Sequence, residues 1–384
     1  MATTTGRPPP WRDVRVLAWA VQLLVVALVA AVVWWLAGNY RANTSKLGLQ
    51  TGWSFLDQPA QFPIPNSDFR QTEPVKDALL VGLANTLRLS LTGIALGTVV
   101  GVALGVARLS RNFIVRSAAR SYVEFVRNVP LLVLLVLAFL GIVQNAFPRP
   151  NQSWVLGPFA VINVRGTNAI WYEGANWRAL VAVVAGLLAG LVVARWRRAV
   201  AERTGRAGRG GLYGLIAGAV VLIAAWAVLG LGVTTPELEG TRVRGGITMT
   251  PAYFASLLAL VVYTSSHIAE IVRGSIQAVP RGQGEAADAL ALSGFQRMWY
   301  VVLPQALRIG VPPIGNQYLN LMKNSSLAAV ISFPELTKVT QLTVANRSPA
   351  VPAFTLLLAI YLVISLAISL VVNLVNRHLT IVER

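Results

Sequence analysis

The residues best suited to chemistry gather in the last third of this chain. Lys323, Asn324, Ser325 and Ser326 stand together well inside a long apolar stretch, Ala306–Ile331. A charge at the centre of a membrane helix costs about 2.5–3.5 kcal/mol, so this ammonium group must face water, protein or a counter-ion. Two readings of it stay open on the residues alone. It lines a solute route and attracts a carboxylate, or it holds its helix through an ion pair or backbone carbonyls. A second set, Glu124, Arg127, Glu270 and Arg273, lies near the ends of apolar stretches. Charges there form gate or subunit-interface ion pairs, or simply anchor the helix ends at the headgroups.

A third segment runs from Glu285 to Pro304 and reads EAADALALSGFQRMWYVVLP. Pro280 and Gly282 precede it and Ser293–Gly294 interrupt it, which predicts a short helix, a turn and a second helix that re-enters the bilayer. Glu285 is expected in the first turn, where a carboxylate suits the helix dipole. Ala286, Ala287, Leu290 and Ala291 share one face at helical spacing. That face is small and apolar, fit to dock in a partner's groove or to rest on a membrane surface.

No set of residues has the pattern of a catalytic centre. His267 and His378 are the only histidines and there is no cysteine, which excludes disulfides, thiolate metal sites and thiol redox chemistry. No G-x-x-x-x-G-K-[ST] loop occurs around Lys46, Lys76, Lys323 or Lys338. The chain is therefore not expected to be an enzyme. No catalytic residue, metal ligand or bound cofactor is assigned to it.

These residues must be positioned by membrane helices. The 384 residues are 55% hydrophobic and 12% charged, with a mean hydropathy of +0.60. Soluble domains carry about 25% charged residues. The apolar runs are long and do not alternate, which selects helices over a β-barrel. Eight spans are expected: Val16–Leu36, Ala84–Ala107, Val129–Val143, Ala179–Ala194, Leu212–Gly232, Ala252–Ile271, Ala306–Ile331 and Pro352–Val375. The first is too long and continuous for a signal-peptide core and reads as a retained helix. The net charge of +18 suits headgroup contact, and nucleic-acid binding is not expected. One set of alternate loops holds roughly twice the Lys and Arg of the other, in shorter segments, so both termini and the Glu285 segment are expected in the cytoplasm. Gly97, Gly101 and Gly105, then Gly186/Gly190 and Gly214/Gly218, recur every four residues, a spacing that lets helix backbones approach closely.

The Glu285 segment resembles the EAA coupling loop of binding-protein-dependent ABC importers. Glu285, Ala286 and Ala287 match its opening, and Val301, Leu303 and Pro304 match its close. Ala291 stands where that family usually has glycine, with Gly294 nearby but out of register. Alanine is small and helix-favouring, so coupling is expected to survive. Asn85-Thr86-Leu87, Tyr122 to Leu132, Ala269 to Gly274, Pro304 to Arg308 and Lys323 to Leu327 are similar in order and spacing to permeases of the polar amino-acid (histidine/glutamine type) family. The long layout looks like the larger permease of general L-amino-acid or glutamate/glutamine/aspartate/asparagine importers.

The resemblance implies an all-α polytopic permease with a five-helix core. It divides the chain into 1–83 (tail, first helix and external loop), 84–143 (first part of the core), 144–251 (external loops and two added helices) and 252–384 (second part of the core, with the coupling loop). It implies ATPase subunits carrying ATP and magnesium, a second permease, and an external or periplasmic binding protein. An amino-acid substrate, lipid contact and the bacterial inner membrane follow too. Two other readings stand beside it. An ion-coupled secondary transporter would need more buried carboxylates than Glu270. A membrane scaffold would not need the polar run at Lys323.

Overall fold

The computed structural model describes residues 14–46, 52–204, 210–346 and 349–379. Of the charges behind the expected orientation, Arg7, Arg12, Arg206, Arg209, Arg347 and Arg384 lie outside these residues. The first helices are α1 (Val14–Lys46), α2 (Val75–Ala107), α3 (Phe113–Asn128) and α4 (Leu131–Val136). Short strands β1 (Trp154–Leu156), β2 (Ala160–Asn163), β3 (Gly166–Ala169) and β4 (Trp171–Glu173) follow. After α5 (Asn176–Thr204) and α6 (Gly210–Val228) come β5 (Gly232–Thr234), β6 (Glu237–Glu239), β7 (Arg242–Arg244) and β8 (Ile247–Met249). The last part holds α7 (Pro251–Gln277), α8 (Arg281–Ala289), α9 (Gly294–Gln296), α10 (Leu303–Asn324), α11 (Leu336–Ala345) and α12 (Ala350–Leu379).

Among the described residues, six helices are long and apolar enough to cross a membrane: α1, α2, α5, α6, α7 and α12. The expected third span is the second arm of a bent pair. Helix α3 meets the run Leu131–Gln144 at 104°, and Pro130 stands at the break. Proline disfavours the α conformation of the residue before it, which ends α3 at Asn128–Val129. The expected span Ala306–Ile331 is not one helix. It is α10 followed by a 3-10 turn, Ser325–Ile331, and its polar residues keep it from qualifying as a span on composition.

Helices carry the fold, and the strands are confined to the connections beside α5 and α6. Strands β1, β2, β3 and β8 form an antiparallel sheet in that order, while β4–β5 and β6–β7 are separate pairs. The long polar connection 144–178 is therefore ordered by short strands.

Two compact units divide the chain. One comprises Met1–Ile64, Phe69–Leu80 and Val339–Ile360. In it Pro59 bridges Pro74, Lys76 pairs with Asp57 at 2.6 Å, and Phe55, Phe62 and Ile64 are buried. The other comprises Pro65–Asp68, Val81–Lys338 and Tyr361–Arg384. Its core joins Leu89 of α2, Leu131 and Leu135 of α4, Ala259 and Leu260 of α7, Leu321 of α10, and Phe333.

Within the second unit a glycine row sets the spacing of α2 against its neighbours. A Cβ on Gly93 would meet Leu321 of α10 at 3.3 Å, one on Gly101 would meet Ile268 at 2.7 Å, and one on Gly105 would meet Val272 at 2.7 Å. Helix α2 thus lies almost backbone-to-backbone on α7, as the four-residue spacing anticipates. Gly186 and Gly190 face Gly218 and Gly214 in the same way, joining α5 to α6.

Gly105→Ala should lower stability by about 1–3 kcal/mol, the usual cost of overpacking. Gly274→Ala, whose Cβ meets nothing within 4 Å, should instead raise it by up to about 1 kcal/mol, because alanine favours a helix interior. Melting curves of the two variants in detergent separate these outcomes. Equal losses would show that the row is not a packing face.

Candidate functional site

Helix α8 begins at Arg281, directly after Pro280, so Glu285 lies beyond the first turn. The expected pairing of its carboxylate with the helix N-terminus is therefore corrected. Glu285 is exposed and makes no hydrogen bond or ion pair among the described residues. Helix α8 ends at Ala289, and Ala291 adopts a left-handed conformation with φ 53°. The N–H groups of Ala291 and Leu292 donate to the carbonyls of Asp288 (2.9 Å) and Ala287 (3.1 Å), closing the helix. A left-handed residue just past a helix end is usually glycine. The reading of Ala291 as a helix-favouring replacement is thus also corrected. It sits outside the helix, where an L side chain costs about 1–2 kcal/mol.

Ser293 then opens the next helix with a capping box, its hydroxyl accepting from the Gln296 N–H and the Gln296 side chain accepting from the Ser293 N–H. Gly294 is the first residue of α9. A π-helical turn, Arg297–Val302, carries the chain into α10, and Pro304 is the second residue of that helix. Two contacts tie the segment together: Arg297 to Asp288 at 2.9 Å and Gln305 to Gln283 at 3.2 Å. The small apolar face is only partly open. Ala287 is buried, while Ala286, Leu290 and Ala291 are exposed. Phe295 stacks on Trp299 at 6.1 Å, and both are exposed with Leu290 and Tyr300.

Glu270 is the hub of the charged set. Its carboxylate accepts from Arg108 at the end of α2 and from Arg273 one turn on, and Arg127 of α3 stands 3.6 Å away. Glu124 is not in this cluster. It pairs with Arg120 at 2.7 Å on the exposed side of α3. Arg108 had no place among the sequence candidates. The glycine row before it marks a packing face of α2 but does not name the helix it packs on, so no sequence signal joined Arg108 to Glu270. Three guanidinium groups surround one carboxylate, leaving a surplus of positive charge. The Nε of Arg273 is buried without a hydrogen-bond partner.

Lys323 ends α10 rather than lying well inside a span. Nineteen residues beyond Pro304 on the α-helical rise place it about 29 Å along the helix, near the full thickness, about 30 Å, of a hydrocarbon core. A basic group in a last turn suits the helix dipole. Lys323 is exposed and Asn324 half-buried. Ser325 is fully buried and donates to the Met322 carbonyl at 2.7 Å, while Ser326 donates to that of Lys323 at 2.8 Å. These hydroxyls are engaged by their own helix. Asn316 and Asn320 are exposed and share the Lys323 face at i, i+4 and i+7.

The turn after α10 is held from α2. Asn85 donates to the Pro334 carbonyl at 2.9 Å, and the Thr86 hydroxyl accepts from the Leu336 N–H at 3.0 Å. Glu335 is fully buried, accepting from the N–H groups of Thr337 and Lys338 and from the Tyr361 hydroxyl. Burial pushes its carboxyl above the usual carboxylate range, against the pull of those donors. Among the described residues no group of three His, Asp or Glu side chains is placed to hold a metal ion.

Residues 93–381 match the family of binding-protein-dependent transport system inner membrane components. The chain belongs to that family. It is 36% identical over 378 residues to the putative amino-acid ABC transporter permease protein YhdX of Escherichia coli (strain K12), covering 96% of this chain and 95% of that one. It is 36% identical over 371 residues to the general L-amino acid transport system permease protein AapQ of Rhizobium johnstonii, covering 94% and 92%. It is 33% identical over 408 residues to the glutamate/glutamine/aspartate/asparagine transport system permease protein BztB of Rhodobacter capsulatus, covering 97% and 96%.

As an inner membrane component the chain is a multi-pass transport subunit, not an enzyme, and the ATPase of such a system is a separate subunit. Within that permease, Glu270→Gln would strip three guanidinium groups of their common anion. The expected loss is about 1.5–3 kcal/mol, as for a hydrogen bond to a charged group. Glu124→Gln, in an exposed pair, should cost about 0.5 kcal/mol or less. Ala291→Gly should stabilise by about 1 kcal/mol, by relieving the left-handed strain. Thermal unfolding of the three purified variants checks all three directions. A loss on Ala291→Gly would contradict the strain.

Proposed function

We propose that this permease imports amino acids, as the larger of two related permease subunits in an ATP-driven, binding-protein-dependent complex. Relatives named for amino-acid transport align along nearly the whole chain, including the added helices. In this reading an external binding protein delivers the substrate, and partner ATPases carry ATP and magnesium. The denser Lys and Arg loops set both termini in the cytoplasm of a bacterial inner membrane. Segments 84–143 and 252–384 form the shared core, with 1–83 and 144–251 added to it.

The observation that carries the reading is the exposed polar face of α10. Asn316, Asn320 and Lys323 follow one another along one side of the helix. Lipid is a poor neighbour for such a face, so it borders a water-filled route closed on its far side by the second permease. Lys323 attracts the substrate carboxylate, with Asn324 beside it. Ser325 and Ser326 shape the helix end. Glu285, Ala286, Ala287, Ala291, Gly294, Leu303 and Pro304 form the coupling segment, whose exposed Leu290, Phe295 and Trp299 supply apolar area for the ATPase. Arg127, Glu270 and Arg273, with Arg108, brace the inner ends of the core helices near a subunit interface. Glu124 lies at its margin.

The ATPases drive transport only by binding two permease states unequally. Lys323→Ala should cut uptake by about tenfold or more, the equivalent of one charge-assisted hydrogen bond, while the complex still copurifies. Glu285→Lys should release the ATPase from the copurified complex without unfolding the chain. Uptake at the unmodified rate with Lys323→Ala would exclude the route. ATPase retained in full by Glu285→Lys would exclude the coupling role.

A further inference from the structure

Helices α5 and α6 form a hairpin whose outer surface has no assigned role. Between them runs an apolar groove of about 450 Å³, lined by Leu187, Leu191, Ala194, Gly211, Leu215 and Leu222 among others. It extends from Val183 to Ala194 along α5. At the α-helical rise that is about 17 Å, close to half of a hydrocarbon core of about 30 Å, or one leaflet.

Basic groups crowd one end of this groove. Arg195, Arg197 and Arg198 follow directly after Ala194 in α5, and Arg203 stands in its last turn. The Arg197 guanidinium lies 4.3 Å above the Tyr213 ring, and its Nε is buried with no hydrogen-bond partner. The stem of Arg198 packs at Gly210, at the start of α6.

We propose that this hairpin holds an acidic phospholipid, with an acyl chain in the groove and the phosphate at Arg197 and Arg198. Charge complementarity selects the headgroup, because a basic pocket between helices at a membrane face suits an anionic lipid. Packing selects a hydrocarbon chain over a partner helix. A second helix would dock on small residues, but Gly186, Gly190, Gly214 and Gly218 are already used by α5 and α6 on each other. The remaining walls mix Ala194, Gly211 and Ala219 with branched valine and leucine side chains, which border the furrow. This inference is independent of what the transporter carries.

The test uses the full chain assembled with its partner subunits in nanodiscs of phosphatidylcholine doped with phosphatidylglycerol. After transfer to detergent, bound lipid is counted by native mass spectrometry. The unmodified complex should retain phosphatidylglycerol over phosphatidylcholine by about tenfold or more. Arg197→Gln with Arg198→Gln should remove that preference. Ala219→Phe, at an exposed wall position away from the glycine contact, should lower retention of both lipids without shifting the melting temperature. Equal retention of the two lipids by the unmodified complex would overturn the proposal. So would variants that retain lipid unchanged. A photocrosslinker at position 215 that captures a transmembrane segment of a partner instead of lipid would also overturn it.

Discussion

The close approach of α2 to α7 is the constraint from which the rest of the core follows. Three glycines on one side of α2, Gly97, Gly101 and Gly105, leave no Cβ to hold the helices apart, and Thr264, Ile268 and Val272 fill the space directly. Without water to drive apolar surfaces together inside a bilayer, such contacts supply much of the attraction between helices. The same row fixes the rotation of α2. One turn past Gly105, that rotation delivers Arg108 to Glu270. At the other end it carries Asn85 and Thr86 to the turn that stops α10. Packing and polar contacts are thus set by one geometric fact.

Most polar side chains follow one division, although the buried Ser90 hydroxyl stands without a hydrogen-bond partner among the described residues. Those inside the core serve the backbone: Thr86, Ser256, Ser265 and Ser266 donate to carbonyls within their own helices. In a low-dielectric interior an unmade hydrogen bond is expensive, and a serine or threonine can satisfy itself locally. Asn316, Asn320 and Lys323 are not buried in this way. They stay on an outer face, where another chain or water must meet them. The hairpin α5–α6 shows the opposite arrangement, with its paired glycines turned toward each other and its Leu and Val turned out.

Much of this was legible in the residues. Hydropathy alone located the six long apolar helices, because Leu, Val and Ala runs of that length leave few other choices. The four-residue spacing marked Gly186/Gly190 and Gly214/Gly218 as close-approach faces, and the structure pairs the two with each other. Three things were hidden. Helix α3 reads as a basic loop because Arg116, Arg120 and Arg127 dominate it, although Ala119, Val123 and Val126 mark a buried side at helical spacing. The Glu270 cluster joins residues far apart in sequence, and only the fold brings them together. Ala291 looked like a helix former because composition carries no backbone angle, and only the end of α8 at Ala289 exposes its left-handed turn.

Backbone runs without a non-helical break from Gly294 through the π turn and α10 to Ile331. Within α10, Pro312 and Pro313 weaken it, each lacking the N–H that would hold the turn before it. The segment is mechanically a crankshaft with one compliant joint. Sideways displacement at the Gly294 end is absorbed where the prolines stand. Rotation about the long axis passes through, because the ladder on either side of the joint stays intact. Twist, rather than tilt, is the motion this helix is built to send along its length.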